Sequence, residues 1–128
     1  MGAFALFSNT EGLFHTAVGA FSLQTPTTGF QSTAVGNSTL VSNTEGSFNT
    51  AVGGIALFEN TTGDENTTYG ESTLGNITEG SFNTAIGSRA LGANTTGDTN
   101  TAVGRNALSA GTSDDRNVAF GAGLVARS

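Results

Sequence analysis

The chain has 128 residues, 19 of them glycine, with a formal net charge of −6 and no cysteine. An acidic chain with only four lysine or arginine residues excludes a nucleic-acid surface, because phosphate binding needs clustered positive charge. The absence of cysteine excludes a disulfide framework and a thiolate zinc site. No apolar run reaches the length of about 18 residues that a membrane-spanning helix needs.

A glycine recurs every 17 residues along the whole chain, and we number the positions of each unit from it. These glycines are Gly2, Gly19, Gly36, Gly53, Gly70, Gly87, Gly104 and Gly121. Seven full units run from Gly2 to Phe120, and a partial eighth covers residues 121–128. Because a strict repeat is typical of stacked arrays, we expect residues 1–128 to form a single repeat array. We also expect it to be part of a longer fibre, since neither end carries an atypical capping segment.

The first predicted element of each unit is a short strand over positions 3 to 6. Position 5 is apolar in every unit, which predicts a core ladder of stacked leucines. Its members are Leu6, Leu23, Leu40, Leu57, Leu74, Leu91 and Leu108.

Positions 7 to 12 are predicted to form a turn, because they hold sequences such as Asn-Thr-Thr-Gly. The glycine at position 11 is expected to supply a positive φ. These turn glycines are Gly12, Gly29, Gly46, Gly63, Gly80 and Gly97. Asp114 replaces glycine in the seventh unit, and aspartate is one of the few other residues that tolerate a positive φ. The one proline, Pro26, falls in the same turn.

Positions 14 to 17 are predicted to form a second strand, with the sequence Thr-Ala-Val in most units. Both faces of this strand are apolar or small, which favours a sheet covered on both sides. The alanines at position 16 are therefore a candidate oligomer face: Ala17, Ala34, Ala51, Ala85, Ala102 and Ala119. The alternative is that these alanines are simply exposed, since a methyl group is small.

Together these elements predict an all-β fold, a parallel β-solenoid or β-roll of 17-residue rungs with two short strands per rung. Stacked rungs place identical positions about 4.8 Å apart. Stacked acids would repel at that spacing, and position 10 avoids this by alternating glutamate with threonine. The alternation runs Glu11, Thr28, Glu45, Thr62, Glu79, Thr96.

Three segments carry a family resemblance: Asn49-Thr50-Ala51-Val52-Gly53, Asn83-Thr84-Ala85-Ile86-Gly87 and Asn100-Thr101-Ala102-Val103-Gly104. The pattern resembles the tandem repeats of bacterial and phage tail-fibre proteins, and it is similar to YadA-like heads of trimeric autotransporter adhesins. The resemblance implies a parallel β-roll that is usually trimeric and is displayed outside the cell or on a virion. It further implies a structural and adhesive role, with the chain itself as partner and a host or matrix receptor or glycan as possible ligand.

Catalytic chemistry has little support in the sequence. His15 is the one histidine, and its position otherwise holds asparagine or serine, so we interpret it as a ladder substitution. Asp64 with Asn66, and Asp98 with Asn100, offer oxygen ligands for calcium. The aspartate-rich spacing of calcium-binding β-roll repeats is absent, however. We therefore predict no catalytic residue, no metal site and no cofactor, and we do not expect an enzyme.

Two alternative functions remain open. One is an ice-binding solenoid, in which a row of threonines at position 15 orders water: Thr16, Thr33, Thr50, Thr67, Thr84 and Thr101. The other is a subunit of a self-assembling surface filament that carries sugar. Five asparagines match the N-linked acceptor pattern: Asn37, Asn60, Asn66, Asn76 and Asn94. Phe14, Phe48 and Phe82 recur every 34 residues, and they predict either aromatic packing or a stripe for sugar or receptor binding.

Overall fold

The structure is a computed structural model, and it describes residues 2–25, 27–111 and 113–124. Seven parallel strands form one sheet in chain order: β1 (Thr16–Val18), β2 (Thr33–Val35), β3 (Thr50–Val52), β4 (Thr67–Tyr69), β5 (Thr84–Ile86), β6 (Thr101–Val103) and β7 (Val118–Phe120). Each strand residue pairs with the residue 17 positions later, as Thr33 does with Thr50. The chain is therefore an all-β solenoid with one 17-residue unit per rung.

Each rung holds one strand, so the predicted second strand over positions 3 to 6 is wrong. These positions form turns, and positions 3 and 5 both have positive φ, as at Ile55 (60°) and Leu57 (49°). The reason lies in burial: Ala56 and Leu57 are adjacent and both fully buried. Adjacent residues of a strand point to opposite faces, so a strand could bury only one of the two.

The backbone still joins neighbouring rungs through these turns. The Leu57 N–H donates to the Thr73 carbonyl of the next rung at 3.1 Å, and the Ile55 N–H donates to the Asn37 carbonyl of the previous rung at 2.9 Å. Left-handed residues thus let the chain turn a corner without leaving its backbone groups unpaired. Hydrogen bonding between rungs therefore continues from the sheet into the turn at positions 3 to 6, which we call the corner.

The leucines at position 5 lie in the interior. Leu23, Leu40, Leu57 and Leu74 are fully buried, Leu91 and Leu108 are nearly so, and Leu6 is half-buried against the same core. Alanines from positions 4 and 16 belong to the same apolar cluster. The core is one narrow column of leucine and alanine that runs along the solenoid.

The turn glycines of position 11 do not have the conformation that the sequence predicts. Positive φ occurs instead at the first glycine of the unit, as at Gly53 (137°) and Gly104 (134°), while Gly63 and Asp114 are not among the positive-φ residues. Position 11 needs glycine for space, because a Cβ on Gly63 would lie 2.4 Å from the Gly80 carbonyl oxygen of the next rung. Pro26, predicted in the same turn, lies outside the described residues.

In the part of the chain that the structure describes, no helix has the length and apolar character needed to cross a membrane.

Candidate functional surfaces

The outer side of the sheet carries the threonines of position 15 and the apolar residues of position 17. We call these two rows together the sheet face. The strands bury only their middle residue, so the residues on either side face solvent or are partly covered. Val18, Tyr69, Ile86 and Phe120 are 45, 63, 41 and 68 % exposed. The six threonines of position 15 are exposed or half-buried.

The alanines of position 16 are inside the solenoid, which corrects their assignment as an oligomer face. Ala34, Ala51, Ala85 and Ala102 are fully buried, and Ala17 and Ala119 are 7 % exposed. The sequence predicts a sheet covered on both sides, with the alanines on the face toward another copy. Position 16 points into the interior in every strand, including the fourth, where Thr68 is 1 % exposed, and position 17 points out.

No charged residue occurs in either row of the sheet face among the described residues, although the chain carries a net charge of −6. The glutamates of position 10, including Glu11, Glu45 and Glu79, are exposed elsewhere on the rung. An uncharged, partly apolar surface on an acidic chain is a feature of interaction sites.

The phenylalanines of position 13 border the sheet face and project into solvent. Phe14, Phe48 and Phe82 are 79, 52 and 55 % exposed, and among the described residues none of them pairs with another aromatic ring. Ring contacts form instead at positions 3 and 6, where Phe4 stacks on Phe21 with 5.3 Å between centroids. Gln31 and Glu65 occupy position 13 in the rungs between them, so this position adds exposed aromatic rings only at alternate rungs from Phe14 to Phe82.

Buried asparagines occupy position 14 and join each rung to the next. Asn66 Oδ1 accepts the Asn83 N–H at 3.0 Å, and Asn66 Nδ2 donates to the Gly80 carbonyl at 2.9 Å. A second row of asparagines at position 8 supplies another donor to the glycine of position 11, as Asn60 Nδ2 does to the Gly63 carbonyl at 3.0 Å. These amides satisfy buried backbone groups, so their role is structural.

His15 takes the asparagine's place in the first rung of this ladder. Its Nδ1 accepts the Ser32 N–H at 3.2 Å, which agrees with the interpretation of a ladder substitution. Burial lowers the pKa of His15 below its ordinary value and so favours the neutral ring. A neutral ring is what the contact needs, because only an unprotonated Nδ1 can accept a hydrogen bond.

The aspartates of position 12 also act within a ladder. Asp64 Oδ1 accepts the Ser47 N–H at 2.7 Å, and Asp98 Oδ1 accepts the Ser81 N–H at 2.7 Å. Asn66, the proposed companion ligand of Asp64, is fully buried and bonded inside the core. The Asn66 amide is therefore already bonded through both its oxygen and its nitrogen, away from solvent. The alternation of serine and aspartate at position 12 was the sequence signal for this ladder.

Three of the five asparagines in N-linked acceptor patterns are inaccessible. Asn60, Asn66 and Asn94 are at most 1 % exposed and their amides bond to backbone carbonyls. Asn37 and Asn76 are exposed. Of the five, these two are the ones accessible to N-linked glycosylation on the folded chain.

A groove with a volume of about 370 Å³ runs along the corner between positions 3 and 7. It opens where position 6 changes from Phe58 to Gly75 and Gly92. Ile55 and Arg89 line one wall at position 3, and the groove lies on a different part of the rung from the sheet face.

Comparison with protein-family models, with curated proteins and with solved structures finds no match to this chain.

Proposed function

We propose that the chain is a structural module of an extracellular or virion fibre, whose copies associate through the sheet face into a trimer that presents a binding surface. The observation that carries the proposal is the sheet face itself, which continues without charge through all seven strands. The resemblance of the Asn-Thr-Ala-Val-Gly segments to fibre and adhesin repeats supports the same role.

A second copy is the occupant that suits this face. Two acidic chains repel each other, so contact between copies is least costly at a surface that carries no charge. Exposed Ile86 and Tyr69 would leave water on association, and burial of apolar area is the main favourable term in such contacts. The constant 17-residue register between strands also lets the sheet face of one copy contact that of another along several rungs.

The test is the mass in solution of the chain and of two matched variants. Ile86 on the sheet face is 41 % exposed and Ile55 at the corner is 43 % exposed, so Ile→Lys at either site adds the same charge with similar loss of packing. We expect trimers for the unmodified chain and for Ile55→Lys, and monomers for Ile86→Lys, by analytical ultracentrifugation over a range of concentrations. Monomers of the unmodified chain at every concentration would refute the proposal.

An ice-binding role is the second candidate, because the threonine row on the sheet face is in register from rung to rung. Thr33 pairs with Thr50, and Thr50 with Thr67, so these threonines form a row with one residue per rung. A regular row of hydroxyl and methyl groups can order water only if it stays uncovered. Thermal hysteresis from a monomeric chain, abolished by Thr50→Lys, would favour this role over the fibre.

A further inference from the structure

We infer that the corner groove is a binding site for an acidic saccharide, with Arg89 as the group that recognises a carboxylate. The inference deepens the proposed function, since it names a ligand class that a displayed rod could bind. The groove is complete within one chain, so binding does not depend on association between copies.

Small residues at position 6 create the groove. Earlier rungs fill this position with side chains such as Val41 and Phe58, whereas the next rungs have Gly75 and Gly92. Neither glycine has a positive φ, and a Cβ on Gly75 would meet its nearest neighbour at an ordinary 3.4 Å. The backbone conformation therefore does not require glycine at position 75, and the missing side chain leaves open space.

The lining combines one charge, apolar surface and hydrogen-bonding groups. Arg89 is exposed, it is the one charged residue among the described residues that line the groove, and it forms no ion pair there. Its guanidinium can therefore bind a ligand carboxylate through two parallel hydrogen bonds. Arg89 and Ile55 share position 3 and lie two rungs apart, about 10 Å along the axis.

Polar groups along the groove suit hydroxyl-rich ligands. Asn76 Nδ2 donates to the Gly92 carbonyl at 2.7 Å, which holds the amide in place and leaves its oxygen as an acceptor. Ser72 and Asn106 add hydroxyl and amide groups to the lining, and the half-buried Phe58 provides an apolar surface at one end. Sugar rings have apolar faces and hydroxyl edges, so an acidic saccharide matches the lining better than a compact anion does.

Trigalacturonic acid is a suitable probe, with its carboxyl-reduced form as the uncharged ligand control. Arg105 is exposed but does not line the groove, so Arg105→Gln removes the same charge away from the site. We expect Arg89→Gln to weaken binding about tenfold or more, as for loss of a charge-assisted hydrogen bond, and Arg105→Gln to leave it unchanged. Carboxyl reduction should weaken binding to a similar extent. The measurements are isothermal titration calorimetry and amide shifts in two-dimensional NMR spectra.

Filling the groove gives a second, independent variant. Gly75→Val introduces a side chain that position 6 already carries at Val41, so the fold is expected to persist and circular dichroism checks this. This variant should abolish binding while Arg89 remains.

Absence of binding to the unmodified chain, or equal weakening by Arg89→Gln and Arg105→Gln, would overturn the inference. Equal affinity for triglutamate would also overturn it, because the site would then recognise charge alone. A monomer that binds trigalacturonate would refute association but leave the groove assignment intact. A trimer that does not bind trigalacturonate would refute the groove assignment but leave the proposed association intact.

Discussion

Replacing Asn66 with alanine removes three side-chain hydrogen bonds, two of which join buried backbone groups. The third, from Asn83 Nδ2, leaves that amide with its bonds to the Ser81 and Gly97 carbonyls. Asn66 Oδ1 accepts the Asn83 N–H at 3.0 Å, and Nδ2 donates to the Gly80 carbonyl at 2.9 Å. Among the described residues no other donor reaches this carbonyl, because position 8 of that rung holds Ile77 in place of asparagine. The substitution therefore leaves one donor and one acceptor without a partner.

Asn49 provides the matched control, since it occupies the same position one rung earlier and is equally buried. Its Oδ1 accepts the Asn66 N–H at 3.0 Å, and its Nδ2 donates to the Gly63 carbonyl at 2.8 Å. The Gly63 carbonyl also accepts Asn60 Nδ2, so Asn49→Ala leaves only one group unpaired.

Each unpaired buried group costs about 1–3 kcal/mol. We therefore expect a loss of about 2 kcal/mol for Asn49→Ala and about 4 kcal/mol for Asn66→Ala, since the lost packing is similar in both. Ile77→Asn should offset part of the larger loss by supplying the missing donor, with a coupling of about 1–3 kcal/mol in the double variant. Urea unfolding followed by circular dichroism measures the loss of stability in the four variants, Asn49→Ala, Asn66→Ala, Ile77→Asn and the double variant, relative to the unmodified chain. Amide exchange at Asn83 reports the local effect. Equal destabilisation by the two alanine variants, or additivity of the double variant, would refute this reasoning.

Three further predictions concern the backbone and the histidine. Burial lowers the pKa of His15 in the folded state, so its contribution to the free energy of unfolding should be complete above the unfolded-state pKa of about 6.5 and should decrease as the pH falls below that value. Unfolding measured as a function of pH should show this loss. The variant His15→Asn should lack it. Gly63→Ala should destabilise the fold by about 1–3 kcal/mol or more, because its Cβ would clash with the next rung. Gly54→Ala is the control, since the nearest atom to its Cβ would be 3.9 Å away, and it should be neutral or slightly stabilising in the same unfolding assay. Ile55 has a φ of 60°, which asparagine tolerates better than isoleucine does, whereas Ile86 lies in a strand. Ile55→Asn should therefore cost about 1–2 kcal/mol less stability than Ile86→Asn. Equal costs would contradict strain at Ile55.

The sequence predicted which residues lie above one another. The distance of 17 residues between equivalent glycines sets the register, and the pairing of Thr33 with Thr50 follows it. The core role of leucine at position 5 also followed, because a residue that is apolar in every unit must face an interior that every rung shares.

The inward and outward sides of the strand could not be predicted from the pattern. Ala51 and Val52 are each compatible with either side, so the pattern predicts two covered faces and places the alanines against another copy. Position 16 is the inward one in every strand, even where it holds Thr68, so the inward side is set by how the whole rung closes and not by the three residues of the strand.

The corner was mispredicted for a related reason. Leucine is rare at positive φ, so a run such as Ile55 to Phe58 favours a strand on local preference alone. Tertiary packing overrides this preference, because both Ala56 and Leu57 are buried and their backbone groups bond to neighbouring rungs.

The sequence alone thus determined the period, the parallel register and the leucine core, because identical rungs must stack identical positions. The tertiary structure decided which side of the strand faces solvent, which rungs have no room for a side chain at position 11, as at Gly63, and where a groove forms. These features arise from the closing of each rung around its core, where residues distant within one unit compete for the same space.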